Sequence, residues 1–421
     1  MKSIKLAIIA ITNLALLFLL QWVPVSIIGT GISTDMLFSA LIIPQVIAAI
    51  FSSNLLQVLM PVIVEEKNSI QNGTFGSIAF IIAISFAALY LLFAYYTPLL
   101  TRVIYSQYDN TIQNTISSLI QLSLIGSFFT TMVATYSAAY YTQKKAFLIE
   151  IFGATSGLFA LFLMMYVLSE DNIEIAVWSI NFRWALCFTL LFIFSKSKKL
   201  NRNYKEALKK ISLRLKNLVV GGAIYKTDVV VDRYFSAQAM TGDLTILHII
   251  QQVFAALSAL LNRVLLAPNS PQLTKLNNKK HTEGFQQLFQ KIIKKVLFLN
   301  ILCFFGLLLA CLINSFIPEI KIANTLIDDW LYVALLTSGM ILGGTLGGVF
   351  TVRYYSKGNT MTPTKVSLFS FLNGCLLKLA AFSLFGFSGL LIARSVNYII
   401  TTCIYYTLYR QESLITNQNL N

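Results

Sequence analysis

The stretch that most constrains the fold of this chain runs from Gly31 to Glu66. It is mostly apolar along its whole length and is interrupted by Pro44 and Pro61. A helix of that length can cross a hydrocarbon layer of roughly 30 Å with residues to spare. Because proline removes a backbone donor and favours a kink, the stretch predicts a bent membrane-spanning helix.

Composition points to a membrane protein as a whole. Of the 421 residues, 56% are hydrophobic and only 12% are charged, whereas soluble domains carry about 25% charged residues. The five cysteines lie in apolar runs without C-x-x-C spacing, and there are only two histidines. We therefore expect no disulfide framework, no metal site and no cofactor. The phosphate-binding pattern G-x-x-x-x-G-K-[ST] does not occur either, so nothing in the sequence indicates ATP hydrolysis.

Long apolar runs predict an all-α, polytopic membrane protein with about twelve transmembrane helices, which we place in two six-helix lobes around a central cavity. The predicted spans are residues 6–28, 34–64, 76–99, 115–142, 147–168, 173–195, 217–239, 244–266, 292–317, 330–355, 366–387 and 390–408.

The distribution of charge between the predicted loops gives the orientation. Most of the 32 Lys and Arg residues lie in loops on one side, whereas the other side has Arg102, Lys321 and much of the acid. This bias follows the positive-inside rule and predicts that both termini are cytoplasmic. The net charge of +15 then indicates attraction to anionic phospholipids. Nucleic-acid binding is not expected, since no extramembrane domain remains to provide it.

The basic segment at residues 196–216 divides the chain. We predict an N-terminal lobe at 1–195, a cytoplasmic linker at 196–216 with an amphipathic helix, a C-terminal lobe at 217–410 and a cytoplasmic tail at 411–421. A weak internal symmetry supports two lobes, since the segments 31–61 and 242–271 both run from a Gly-containing turn to a proline. Related repeats with a substrate site near the midplane are a transporter architecture.

Ionisable residues inside the predicted spans are the candidate functional groups. Placing a charged side chain at membrane depth costs at least about 2.5 kcal/mol. Such a residue is therefore expected to be paired with an opposite charge, hydrated in a cavity, or part of the transport mechanism. Asp228 and Asp232 share one face of a helix, and Lys226 and Arg233 share another. Salt bridges that only fasten helices are the alternative interpretation. The set contains Asp35, Glu150, Arg183, Lys226, Asp228, Asp232, Arg233, Arg263, Lys378 and Arg394.

Three passages resemble the MviN/MurJ lipid-flippase family, which belongs with Wzx flippases and MATE antiporters in the MOP transporter superfamily. The first is G-T-G-I-S-T-D-x-x-F followed by I-P-Q and V-L-M-P-V-I-V-E-E-K. The second is Y-K-T-D-V-V-V-D-R-Y-F with the run to L-A-P-N-S-P-Q-L-T-K, and the third is R-Y-Y-S-K-G-N-T-M-T-P-T-K. The resemblance implies a flippase of the bacterial inner membrane and not an enzyme.

The departures from that family concern the anion site. Its peptidoglycan-precursor flippases have arginines in spans one, two and eight, but here span one has none, Ala48 and Ala49 occupy the second-span positions, and Gln252 occupies the eighth-span one. We therefore expect other groups to hold the diphosphate of the lipid-linked substrate. The predicted substrate-binding residues are Arg183, Lys226, Arg263, Lys378, Gln252 and Asn54, and the predicted ion-coupling or gating residues are Asp35, Asp228, Asp232 and Arg233.

These departures favour a cargo other than the peptidoglycan precursor. The expected function is export of a polyprenyl-diphosphate-linked saccharide, such as an O-antigen or capsule precursor, by alternating access, together with polysaccharide polymerase machinery as a partner. Three alternatives stay open: a lipid II flippase of peptidoglycan synthesis, a MATE-like cation or drug antiporter, and a non-transporting membrane subunit of a polysaccharide synthase.

Overall fold

The computed structural model describes residues 2–65, 73–169, 172–195, 204–261, 265–278, 281–316, 320–359 and 361–418. These residues form helices almost throughout, because a helix satisfies every backbone polar group within one segment. They also form one two-stranded antiparallel hairpin. The helices are α1 Lys2–Ile28, α2 Ile32–Glu65, α3 Thr74–Ile104, α4 Asn110–Thr142, α5 Ala146–Val167, α6 Glu174–Ile193, α7 Lys205–Ser236, α8 Asp243–Leu261, α9 Ala267–Asn278, α10 Thr282–Phe316, α11 Ile327–Thr337, α12 Gly339–Ser356 and α13 Met361–Gln418; the strands are β1 Lys321–Ile322 and β2 Thr325–Leu326.

Within the described residues, ten helical segments are long and apolar enough to cross a membrane. The all-α, polytopic membrane fold is therefore confirmed. The number of candidate spans, ten, is lower than the predicted number of about twelve for two reasons. The predicted span at 217–239 lies in α7, whose charged residues keep it out of this set, and the last two predicted spans both lie in α13.

The long helix α13 is an antiparallel hairpin. Gly386 has φ 59° and ψ −139°, a conformation that only glycine adopts readily, and it interrupts the helix. On either side of it, Ser370 and Thr401 share a hydrogen bond of 2.6 Å, and Asn373 donates to Asn397 at 3.1 Å. The glycine thus separates the predicted spans 366–387 and 390–408, and their polar side chains bond across the hairpin.

Contacts divide the chain into two compact units, Met1–Thr245 and Ile246–Asn421. This boundary lies later than the predicted lobe boundary, because α7 packs along α2 in the first unit. Residues 205–216, which we predicted as part of an amphipathic linker, form the first turns of α7. Ala207 and Ile211 are buried there, and the role of this segment as a linker between lobes stays a prediction.

In the first unit, α2 is the central helix and lies between α4 and α7. Both predicted prolines are inside it. Ser127 of α4 donates to the carbonyl of Pro44 at 2.9 Å, and Tyr90 of α3 bonds Thr131 of α4 at 2.9 Å. These hydrogen bonds between polar side chains and neighbouring helices hold the helices together within the membrane interior.

In the second unit, α12 packs closely on the hairpin of α13. A side chain added at Gly343 would meet the backbone of Tyr398 at 2.5 Å, and Thr402 donates to the carbonyl of Gly343 at 2.8 Å. At one end, the Arg353 guanidinium bonds Glu412 at 2.9 Å and lies 4.7 Å from the ring centre of Tyr409. Small residues let the backbones approach, and this ion pair joins the two helix ends.

We predict that Gly343→Ala destabilises the second unit by about 1–3 kcal/mol, because backbone atoms of Tyr398 would have to move. The thermal midpoint of the purified protein measures the effect. The matched control is Gly306→Ala in α10, where no atom lies within 4 Å of the added carbon and where replacing glycine stabilises a helix. Equal midpoints for the two variants would contradict this packing.

Candidate functional site

A buried carboxylate, Asp35, joins the start of α2 to the start of α8. Its side chain is 2% exposed. One oxygen, Oδ2, accepts the backbone N–H of Gly242 at 2.7 Å, and Oδ1 accepts the N–H of Thr245 at 2.9 Å and its hydroxyl at 2.6 Å. Because the free N–H groups at a helix start favour negative charge, the carboxylate is well placed there. We call this set, Asp35 with Gly242 and Thr245, the Asp35 junction.

The local sequence builds both sides of the junction. On the α2 side, Thr34 donates to the carbonyl of Gly29 at 3.0 Å and thereby fixes the turn before α2. On the α8 side, Gly242 has φ 96°, which lets its N–H point at the carboxylate. The predicted G-x-S-T-D turn and the glycine before the eighth span therefore meet in one contact.

Two further groups close the same end of the first unit. The phenol of Tyr105, after α3, donates to the carbonyl of Ser39 in α2 at 2.9 Å. The amide of Gln113 in α4 donates to the carbonyl of Tyr108 at 2.7 Å. In this turn, burial raises the pKa of Tyr108 to about 12, and the negative charge of Asp35 acts in the same direction. The α3–α4 turn thus packs beside the junction.

Arg233 and Asp232, near the end of α7, are fully buried at this end. The Arg233 guanidinium donates to the carbonyl of Leu244 at 3.4 Å, one residue before Thr245. Two of the residues predicted for ion coupling or gating, Asp35 and Arg233, therefore both contact the first turn of α8. Asp228, one turn earlier in α7, is half-buried.

Lys226 is the predicted substrate-binding cation with the most informative position. Its ammonium group, half-buried, donates to the carbonyl of Ala49 in α2. Ala49 is one of the positions where the sequence resemblance places an arginine. A cation from α7 therefore reaches the part of α2 that lacks one.

Arg183 occupies a different place, between α1, α5 and α6. It is 2% exposed and donates to the Asn13 side chain at 2.7 Å, while Asn13 donates to Glu150 at 2.9 Å. Gly153 and Gly157 of α5 make room for Asn13 and Leu16 of α1. This geometry favours the helix-fastening alternative for Arg183 and Glu150.

The other predicted residues are spread over both units. Lys378 and Arg394 are buried on opposite arms of the α13 hairpin, and Gln252 is half-buried in α8. Asn54 donates to the carbonyl of Ile50 within α2 at 2.7 Å. Arg263 lies outside the described residues. Their binding roles stay predictions.

Sequence reasoning missed Thr245 and Asn13. Thr245 lies in the first turn of α8, but its hydroxyl donates to Asp35 and does not accept a free N–H group, so no capping signal in the sequence indicates this contact. Asn13 gives no signal either. It is one amide in an apolar helix, and only the packing of α1 on α5 brings it to Arg183 and Glu150.

Comparison with known families decides between the transporter classes. A family described as "Lipid II flippase MurJ" matches residues 25–420, nearly the whole chain. The chain belongs to the MurJ family. As a MurJ-family protein it is a multi-pass membrane transporter and not an enzyme, as the sequence predicted. A search of curated proteins gave no match.

Solved structures show the same fold. A structure described as lipid II flippase MurJ in an inward closed conformation has a TM-score of 0.77 and 16% identity, covering 97% of this chain and 87% of the other. An inward-facing MATE multidrug transporter of the MOP superfamily has a TM-score of 0.77 and 10% identity, covering 97% and 96%. A MOP superfamily transporter from Pyrococcus furiosus gives 0.68 and 11%, covering 97% and 94%. At these identities the likeness concerns the fold.

We predict that Asp35→Asn opens the junction of this MurJ-family protein. An amide keeps one acceptor oxygen, so either Gly242 or Thr245 loses its partner, and hydrogen bonds to a charged group contribute about 1.5–3 kcal/mol each. Hydrogen exchange of the peptide around residues 240–246 should therefore become about tenfold faster or more.

The matched control is Asp109→Asn, an exposed carboxylate in the neighbouring α3–α4 turn. It should leave the exchange of residues 240–246 unchanged. Exchange that is equally slow in both variants would mean that the carboxylate does not hold the start of α8.

Proposed function

We propose that this protein flips a polyprenyl-diphosphate-linked precursor across the bacterial inner membrane, and that the precursor is lipid II. Membership of the MurJ family supports lipid II over the O-antigen or capsule precursor that the missing arginines favoured. The charge bias of the loops supports an orientation with both termini in the cytoplasm.

The observation that carries this proposal is the position of Lys226. The sequence argument for another glycan rested on missing arginines in spans one, two and eight, and the Lys226 ammonium lies at one of those positions, the backbone of Ala49. A diphosphate group needs cations near it, and the cation need not come from the same helix as in the relatives. The absence of arginine at Ala48 and Ala49 therefore no longer argues against lipid II.

The Asp35 junction supplies the gate in this proposal. The helix α8 begins at the junction and continues into the second unit. Any movement that carries α8 away from α2 must break the three hydrogen bonds of Asp35. Protonation of Asp35, or binding of a cation to it, would weaken those bonds, which gives alternating access a way to couple to an ion.

The cation/drug alternative has weaker support. MATE transporters share the fold at a similar TM-score, so the fold does not separate the two. The family match supports the lipid-linked cargo, since the matching family is described as a lipid II flippase.

We predict that the protein sustains growth of bacteria depleted of their own lipid II flippase and that Lys226→Ala abolishes this activity. Loss of one charge-assisted contact should weaken binding of the diphosphate at least about tenfold. Lys226→Arg, which keeps the charge, should retain part of the activity. Binding of lipid II to purified protein in lipid nanodiscs provides the second measurement.

The control is Lys365→Gln, which removes an exposed cation at the start of α13 and should behave as wild type. If the wild-type protein fails to replace the lipid II flippase but restores O-antigen export in cells that lack the O-antigen flippase, the cargo is the other glycan. If Lys226→Ala is fully active with lipid II, Lys226 does not contact the diphosphate.

A further inference from the structure

A groove in the first unit, between α2, α3 and the first turns of α7, has no role in the proposed transport step. It has a volume of about 480 Å³, within the range of roughly 300–1,000 Å³ that is usual for ligand pockets. Its lining is predominantly apolar. The lining residues are Leu55, Ile81, Ile82, Ser85, Phe86, Leu208, Ile211, Ser212, Leu215, Lys216 and Val219.

The floor of the groove is a packed apolar surface. Leu55 of α2, Ile82 and Phe86 of α3, and Ile211 of α7 are all buried. Phe86 is held in place by an edge-on contact with Phe51, with ring centres 5.0 Å apart. Such a floor offers dispersion contacts to a hydrocarbon chain and no polar partner for water.

The mouth of the groove is polar and lies next to a lipid-facing surface. Ser85, Ser212 and Lys216 line the groove and are exposed. On the adjoining face of α3, Phe80 is 57% exposed and Ile84 is 56% exposed. In a membrane-spanning helix, such exposed apolar side chains face lipid tails, so the mouth is next to membrane lipid.

Positive charge follows the same edge of α7. Lys209, Ser212 and Lys216 are spaced three and four residues apart, so they lie on one face of the helix over about 10 Å. Both lysines are exposed, and neither has an acidic partner in the part of the chain that the structure describes. Five of the residues 205–216 are basic and one, Glu206, is acidic.

We propose that this groove is a binding site for an anionic phospholipid. One acyl chain occupies the apolar groove and fills the gap between α3 and α7. The phosphate group lies between Lys209 and Lys216 and accepts the hydroxyl of Ser212. The lipid enters from the membrane beside α3, because the mouth adjoins the lipid-facing surface of that helix. It belongs to the leaflet on the side where α7 begins, since the first turns of α7 line the groove.

Charge complementarity selects the headgroup. A zwitterionic phosphatidylcholine carries its own cation beside the phosphate, which the two lysines repel, whereas phosphatidylglycerol carries a net negative charge. Each lysine near an anionic lipid headgroup changes the affinity about fivefold, so the pair should change it about 25-fold.

Native mass spectrometry of the full-length protein, released from detergent in the presence of phosphatidylglycerol or phosphatidylcholine, tests the site. Wild-type protein should retain phosphatidylglycerol in preference to phosphatidylcholine. The double variant Lys209→Gln with Lys216→Gln should lose about 25-fold in phosphatidylglycerol affinity and keep its weak phosphatidylcholine binding. The control, Lys275→Gln with Lys365→Gln, removes two exposed cations from the second unit and should match wild type.

A second variant tests the groove itself without altering charge. Ser85→Trp places an indole at the mouth and should reduce retention of both phospholipids while the thermal midpoint without lipid stays near the wild-type value. Equal phosphatidylglycerol binding by the lysine variant and its control would overturn the proposal. So would displacement of phosphatidylglycerol by stoichiometric undecaprenyl phosphate, because the groove would then hold a polyprenyl chain. Neither result bears on whether lipid II is flipped.

Discussion

The absence of water from the membrane interior is the constraint on which the rest of this structure depends. Each backbone polar group must bond within its own helix, and helices then attach to each other through close packing and a few polar side chains. The structure uses both means. Gly343 brings α12 against the backbone of α13, and Ser127 of α4 bonds the carbonyl of Pro44 in α2.

Buried charge is handled differently in different parts of the first unit. Arg183 donates to Asn13, which in turn donates to Glu150, so these polar groups bond to one another within a bundle of three helices. Lys226 instead donates to the backbone carbonyl of Ala49 and so joins α7 to α2. The first arrangement links polar side chains within three helices, whereas the second brings a cation to the backbone of the central helix. That difference separates two residues that look equivalent in the sequence.

The Asp35 junction combines stability with the capacity to change. Three hydrogen bonds to one carboxylate hold α2 to the start of α8, and all three depend on the same negative charge. A contact of this kind is strong while the carboxylate is ionised and is weakened when the charge is neutralised, because a neutral carboxyl group keeps only one good acceptor oxygen. A transporter that alternates between two states needs bonds that can be made and broken together.

The sequence by itself determined the fold class and most of the spans, because long apolar runs have a preference for the membrane that does not depend on their neighbours. It also singled out Asp35 as a candidate gating residue, a role that stays a prediction. Only the tertiary structure decided which groups meet. The pairing of Lys226 with Ala49, the Asn13 contact of Arg183, and the groove between α3 and α7 all join residues far apart in the chain, and no local pattern encodes such distances.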